Sequence, residues 1–181
     1  MFYWFDGYGI FVSHDEPVIT IDIAVPIGFP VKIEQVYGHV TVSDHIGKVE
    51  VINKFPTDET GTRLPFNFDC GIVDILSVDL EKARINVKSV QTSVDLMLSD
   101  SYMCINKDES SCDNPKKLDS FQASLKGCSA IDCYHAAKQA TLHIDKGSRL
   151  HLGGVDKDWK KTGEGEVTIR GWRVFGPDED D

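Results

Sequence analysis

Cysteines carry the most specific chemistry in this 181-residue chain, and four of the five, Cys104, Cys112, Cys128 and Cys133, fall in one short stretch. Gaps of seven, fifteen and four residues separate them. Structural zinc sites draw their ligands from tight Cys-x-x-Cys knuckles, so these gaps favour disulfides over zinc, even with His135 nearby. Four cysteines allow three pairings, and the simplest is Cys104–Cys112 with Cys128–Cys133, each closing a short loop. Two disulfides would imply an oxidising setting, which points to an extracellular or virion/particle surface. Cys70, between Asp69 and Gly71, is left as a free or intermolecular thiol.

Carboxylates supply the second candidate. Asp156, Asp158, Glu164 and Glu166 follow Gly153-Gly154, and hard oxygen ligands at alternate positions suit calcium. The segment lacks the twelve-residue frame of an EF-hand, and Lys157, Lys160 and Lys161 also make it a charge-mixed hairpin loop. Calcium is thus the one cofactor the residues suggest, and no motif requires one. Trp159 stands in the same polar loop and is the candidate for an exposed recognition residue.

Histidines and nucleophiles give less. His143 and His151 alternate with apolar neighbours and could share a sheet face, there to bind a metal or sense pH, although a wet face needs the same pattern. No Gly-x-Ser-x-Gly or comparable catalytic signature is present, so the expectation is a protein that is not an enzyme. The aromatic start, with Phe2, Tyr3, Trp4 and Phe5, could fill a core or drive self-association into a homo-oligomer.

Charge narrows the partners. At a net charge of -10 the chain repels phosphate backbones, and its lysine pairs, Lys116-Lys117 and Lys160-Lys161, lack interleaved aromatics, so nucleic acid is not expected. No run of eighteen apolar residues provides a transmembrane segment, and the N-terminus lacks the basic start and apolar stretch of a signal peptide.

The elements that must position these residues are short strands. Val31/Ile33, Val40/Val42, Val49/Val51, Leu76/Val78/Leu80, Ile85/Val87, Val94/Leu96/Leu98, Leu142/Ile144, Leu150/Leu152 and Val167/Ile169 all alternate with polar residues. Period two marks strands buried on one face. Turn residues between them suggest an antiparallel β-sandwich of the jelly-roll or immunoglobulin-like class, spanning residues 1–175 as one domain. Tyr37–Ser43 and Lys48–Lys54 read as a hairpin about Asp44–Gly47. Residues 104–133 read as a small disulfide-stabilised helical insert: Asp113-Asn-Pro115 starts a helix with Leu118, Phe121 and Leu125 as its stripe, and a second covers Ser129–Gln139. The tail, 176–181, is acidic, and no internal repeat is evident.

The order Phe68-Asp-Cys-Gly71, the close pair Cys128 and Cys133, and Trp172 near the end resembles the secreted lipid-binding β-sandwiches of the MD-2-related type. The likeness starts only at Phe68, and Gly171 stands where that family's final cysteine would be. The sequence therefore leads to a non-enzymatic, extracellular-type sandwich that recognises a glycan or protein partner, with Trp159, Asp156, Asp158, Glu164 and Glu166 as its ligand-binding residues. The alternatives are a structural subunit of a virion or filament and a lipid-binding sandwich.

Overall fold

The computed structural model describes residues 2–5, 8–11, 23–34, 38–53, 66–106, 117–169 and 172–174. Among them lie thirteen strands and no helix: β1 (Phe2–Phe5), β2 (Tyr8–Phe11), β3 (Val31–Glu34), β4 (Gly38–Val42), β5 (His45–Asn53), β6 (Phe66–Glu81), β7 (Ala83–Ser99), β8 (Tyr102–Ile105), β9 (Lys117–Lys126), β10 (Ala130–Ile144), β11 (Arg149–Thr162), β12 (Glu166–Ile169) and β13 (Trp172–Val174). Strands lie at the alternating runs, from Val31/Ile33 to Val167/Ile169, and also at β9 and the first part of β10, where helices were expected. The way they pair differs from the sandwich.

From β3 to β12 every ladder is parallel; only β1–β2 and β12–β13 are antiparallel. This overturns the antiparallel sandwich and, with it, the resemblance to lipid-binding sandwiches. β8 lies between Arg84–Val87 of β7 and Ala130–Cys133 of β10, and β9 between Ser93–Ser99 and Ala136–Ile144 of the same strands. β7, β8, β10 and β9 thereby close a parallel four-stranded ring, to which the other strands add. Phe66 pairs with Ala83, Arg84 with Tyr102 and Ala130 with Arg149, seventeen to nineteen positions apart. Elsewhere the offset is twenty-seven or twenty-eight, as at Val49 with Leu76, Val94 with Phe121 and Tyr102 with Ala130, and together the pairings describe a coil that climbs one strand spacing, about 4.8 Å, per circuit.

Coiling stacks like on like. Phe68, Ile85, Met103, Ile131, Leu150 and Val167 form one inward column, and Leu80, Leu98, Leu125 and Ile144 another. All ten are buried, and together with their neighbours they fill the interior. The expected hairpin is absent because β4 and β5 are successive lengths of one circuit: both pair with β6 in parallel, along Phe66–Cys70 and Val73–Leu80. The expected helices are strands β9 and β10. Leu118, Phe121 and Leu125 imitate a helical stripe because the inward parity changes between Leu118 and Phe121, both buried though three apart, as it does between their partners Ala137 and Ala140 on β10.

Among the described residues no disulfide joins Cys70, Cys104, Cys128 and Cys133 to one another, and Cys112 lies outside them. Cys128 sits on an exposed turn while Cys133 points into the core three residues inside β10. Extended chain separates residues five apart by about 16 Å, well beyond the reach of a disulfide. The inference from disulfides to an oxidising compartment therefore has no support here.

Two polar devices hold the circuits in register. At the tight turns, Ser101, Ser129 and Ser148 stack in the interior. Ser101 Oγ accepts from Ala83 N–H at 2.9 Å, Ser129 Oγ from Ser101 N–H at 3.2 Å, and Ser148 Oγ from Ser129 N–H at 3.3 Å. Each hydroxyl also donates to a turn carbonyl, so the three are satisfied in both roles. The second device lies between the end of β8 at Ile105 and the start of β9 at Lys117, where no strand among the described residues lies between β7 and β10. His135, fully buried on β10, spans the gap and takes the Val90 N–H on Nε2 at 3.2 Å, with Ser89 Oγ at 3.3 Å. An Nε2 that accepts leaves the ring proton on Nδ1, so the Asn106 amide 3.4 Å away must turn its oxygen toward it.

Candidate functional site

Coiling also aligns residues that point outward. Thr41, Asp69, Asn86, Cys104, Asp132, His151 and Thr168 occupy one column, each paired with the next across successive circuits. A second column beside it carries His39, Asn67, Arg84, Tyr102, Ala130, Arg149 and Glu166. Strand pleating sends both to the same side, opposite Phe68 and Cys70. Residues far apart in sequence thus form a polar face, with Cys104 buried in the middle of its column.

Each end of this face holds a depression. One, of about 470 Å³, is lined by Thr41, Ser43, Asp69, Asn86, Lys88 and Cys104 among others. The other, of about 290 Å³, is lined by Asp132, Arg149, Leu150, His151, Glu166 and Thr168. At the first, Asn86 Nδ2 donates to Asp69 Oδ1 at 2.8 Å and holds that carboxyl below its ordinary range, with His39 and Arg84 acting in the same direction. His39 Nε2 meets the other carboxylate oxygen of Asp69. At the second, Tyr102 donates its phenol to Asp132 Oδ2 at 3.0 Å. Partial burial, then that bond, push the Tyr102 hydroxyl up to about 12, so it stays protonated and remains a donor. Tyr134 and His151 meet edge to face with centroids 5.4 Å apart.

Cysteine chemistry belongs elsewhere. Cys70 and Cys133 point inward, and burial pushes each thiol up to about 12, the opposite of what a nucleophile needs. Among the described residues no group of three or more His, Cys, Asp or Glu stands close enough to hold a metal ion. The described residues contain no helix long and apolar enough to cross a membrane.

The residues picked out by sequence are dispersed. Trp159 is half-buried on an inward column, after Phe121 and Ala140, and packs against the core. Asp156 is held by Lys117 Nζ at 2.8 and 3.0 Å, Asp158 is exposed beside it on β11, and Glu164 lies in the turn before β12. Glu166 instead pairs with Arg149 at the start of β11 and is the only one of the five to line a depression on the polar face. Phe2, Tyr3, Trp4 and Phe5 form β1, paired with β2, and their side chains lie outside the described part. His143 and His151 do not share a face: His143 meets Thr162 at 2.8 Å and Asp145 at 3.1 Å on another stretch of the coil.

Sequence reading missed the polar face because its members come one per circuit. Its signal is a recurring five-residue phrase, Ser101-Tyr-Met-Cys-Ile105, Ser129-Ala-Ile-Asp-Cys133, Ser148-Arg-Leu-His-Leu152 and Gly165-Glu-Val-Thr-Ile169, whose second and fourth positions build the two outer columns. No family model, curated protein or solved structure matches the chain.

Proposed function

We propose that this chain is a non-enzymatic recognition module that presents its outer polar face to a glycan or protein partner. The observation that carries the reading is the in-register column Asp69–Asn86–Cys104–Asp132–His151–Thr168, with a depression at each end. Parallel pairing spaces these groups at about 4.8 Å on a rigid support. Carboxylates, amide, imidazole and hydroxyl alternate along it, while Tyr102, Tyr134 and Arg149 add aromatic edges and a guanidinium beside Asp132. Hydrogen-bonding groups next to aromatic surface suit polyhydroxylated and peptide ligands alike.

A glycan array and a panel of immobilised extracellular proteins, probed with the full chain, test the reading. A specific hit should weaken at least tenfold on joint Asp132→Ala and His151→Ala substitution. Lys138→Ala, at an exposed site elsewhere on the coil, should leave it unchanged. Binding that ignores the first change, or no binding to either panel, would overturn the assignment.

A further inference from the structure

Other lengths of the same strands build a second outer face, distinct from the polar one. It comprises residues 48–52 of β5, 75–79 of β6, 93–97 of β7, 120–124 of β9, 139–143 of β10 and 158–162 of β11. Pairing is unbroken across all six, so the outward side chains stand in three columns. Asp95, Met97, Gln122, Gln139 and Thr141 on this face are exposed.

Its middle differs from its margins. β9 brings Ser120, Gln122 and Ser124, and β7 beside it brings Ser93, Asp95 and Met97, so Asp95 is the single outward charge on these two strands. Met97 is 51% exposed, and every other exposed large hydrophobic side chain among the described residues lies within 23–29. Methionine in a centre short of charge, with charges at the rim, is the composition of a protein interface.

Charge at the margins selects the occupant. On β5 the first two columns carry Lys48 and Glu50, and on β11, at the far side, the same columns carry Asp158 and Lys160. The order of signs is reversed. A second copy turned over a two-fold axis along the strands, between β7 and β9, lays each β5 on the other's β11 and keeps every column over itself. Lys48 then faces Asp158 and Glu50 faces Lys160, twice over by symmetry. Lys48 already reaches Glu50 at 3.0 Å within the chain, so docking extends that pair into an alternating network. At the axis Asp95 faces the Gln122 amide, a donor, and Met97 lies over Ser124. Nowhere on the face does a charge meet its own sign. We propose that this face is the interface between two copies of this chain, related by a two-fold axis along the strands between β7 and β9. The face measures about 24 by 17 Å, small for a specific interface, so the dimer is weak. The polar face stays free for its partner.

Sedimentation velocity on the full chain, at concentrations up to about 1 mM, tests this. The wild type should populate a dimer and nothing larger. Lys160→Glu and Glu50→Lys each set like charges together twice, and each should weaken the dimer about tenfold. Mixing the two variants should restore it, because each supplies the sign that the other lacks. Met97→Lys, at an exposed position, should weaken the dimer while circular dichroism and the melting temperature of the dilute chain stay unchanged. A wild type that is monomeric throughout, a dimer indifferent to both Lys160→Glu and Met97→Lys, or a mixture no stronger than its parts would each overturn the proposal. So would species larger than two copies, which would mean that the β5 and β11 margins meet end to end.

Discussion

The backbone N–H of Val90 points at Nε2 of His135, 3.2 Å away, although the two residues belong to strands separated elsewhere by a full circuit. Between them no strand lies among the described residues, because β8 ends at Ile105 and β9 begins at Lys117. A buried donor left in that gap would cost about 1–3 kcal/mol. The imidazole replaces the missing strand, and Asn106 secures its other nitrogen.

His135→Ala should therefore destabilise the fold by about 3 kcal/mol, combining the lost acceptor with the cavity left by a fully buried ring. Urea denaturation followed by far-ultraviolet dichroism measures it. A loss below about 1 kcal/mol would show that the Val90 N–H has another acceptor.

Ser129 is the middle member of the serine stack and serves both neighbouring circuits, accepting from Ser101 N–H and offering its own N–H to Ser148. Ser129→Ala strands one buried N–H and should cost about 1–2 kcal/mol in the same assay. Ser124→Ala, in a strand outside the stack, should stay within about 0.5 kcal/mol.

Gly153 lies where a Cβ would come within 2.5 Å of the Tyr134 carbonyl oxygen, a backbone atom that cannot rotate away. Gly153→Ala should push β10 and β11 apart and lower the melting temperature by several degrees. Gly38→Ala also changes a glycine, but nothing stands within 4 Å of its added methyl; its cost comes only from a φ of +87°. Equal losses at the two sites would refute the clash.

The thiols give a pH signature. Burial raises Cys70 and Cys133 to about 12 from an ordinary value of 9.0, so the folded chain keeps two protons that the unfolded chain releases first. When the native state holds more protons, stability falls with rising pH. The loss begins above about pH 9 and continues toward pH 12, by at most about 1.4 kcal/mol per pH unit for each thiol. Cys70→Ala and Cys133→Ala should flatten that alkaline decline. At pH 8 only exposed cysteines should react quickly with an alkylating reagent, Cys128 among them, and mass measured before and after reduction should show no intrachain bond between Cys128 and Cys133.

Much of the strand content was legible. Val49/Val51, Leu76/Val78/Leu80 and Val94/Leu96/Leu98 alternate in the sequence and point inward in the structure, because a strand buried on one face leaves that pattern however its neighbours run. The coil was obscured by unequal spacing in the sequence. Val31, Val49, Leu76, Val94, Phe121, Ala140 and Trp159 form one column, yet successive members are separated by about eighteen residues or by twenty-seven, according to whether residues 54–65 or 107–116 intervene. A repeat of unequal length does not stand out as a repeat.

The candidate site was less legible than the strands. Asp132 and His151 are nineteen positions apart and look like ordinary wet-face residues; only parallel pairing of β10 with β11 makes them neighbours. Cys128 and Cys133 look like partners by proximity in the chain, and an extended strand keeps them apart. Sequence alone determined the inward residues of the strictly alternating strands, since burial there follows from side-chain chemistry and a local period of two, but not Trp159, which was expected outside and packs against the core. The tertiary structure decided the direction of pairing, the stacking of circuits and the polar face they build, since these depend on backbone hydrogen bonds between residues whose separation no local pattern encodes.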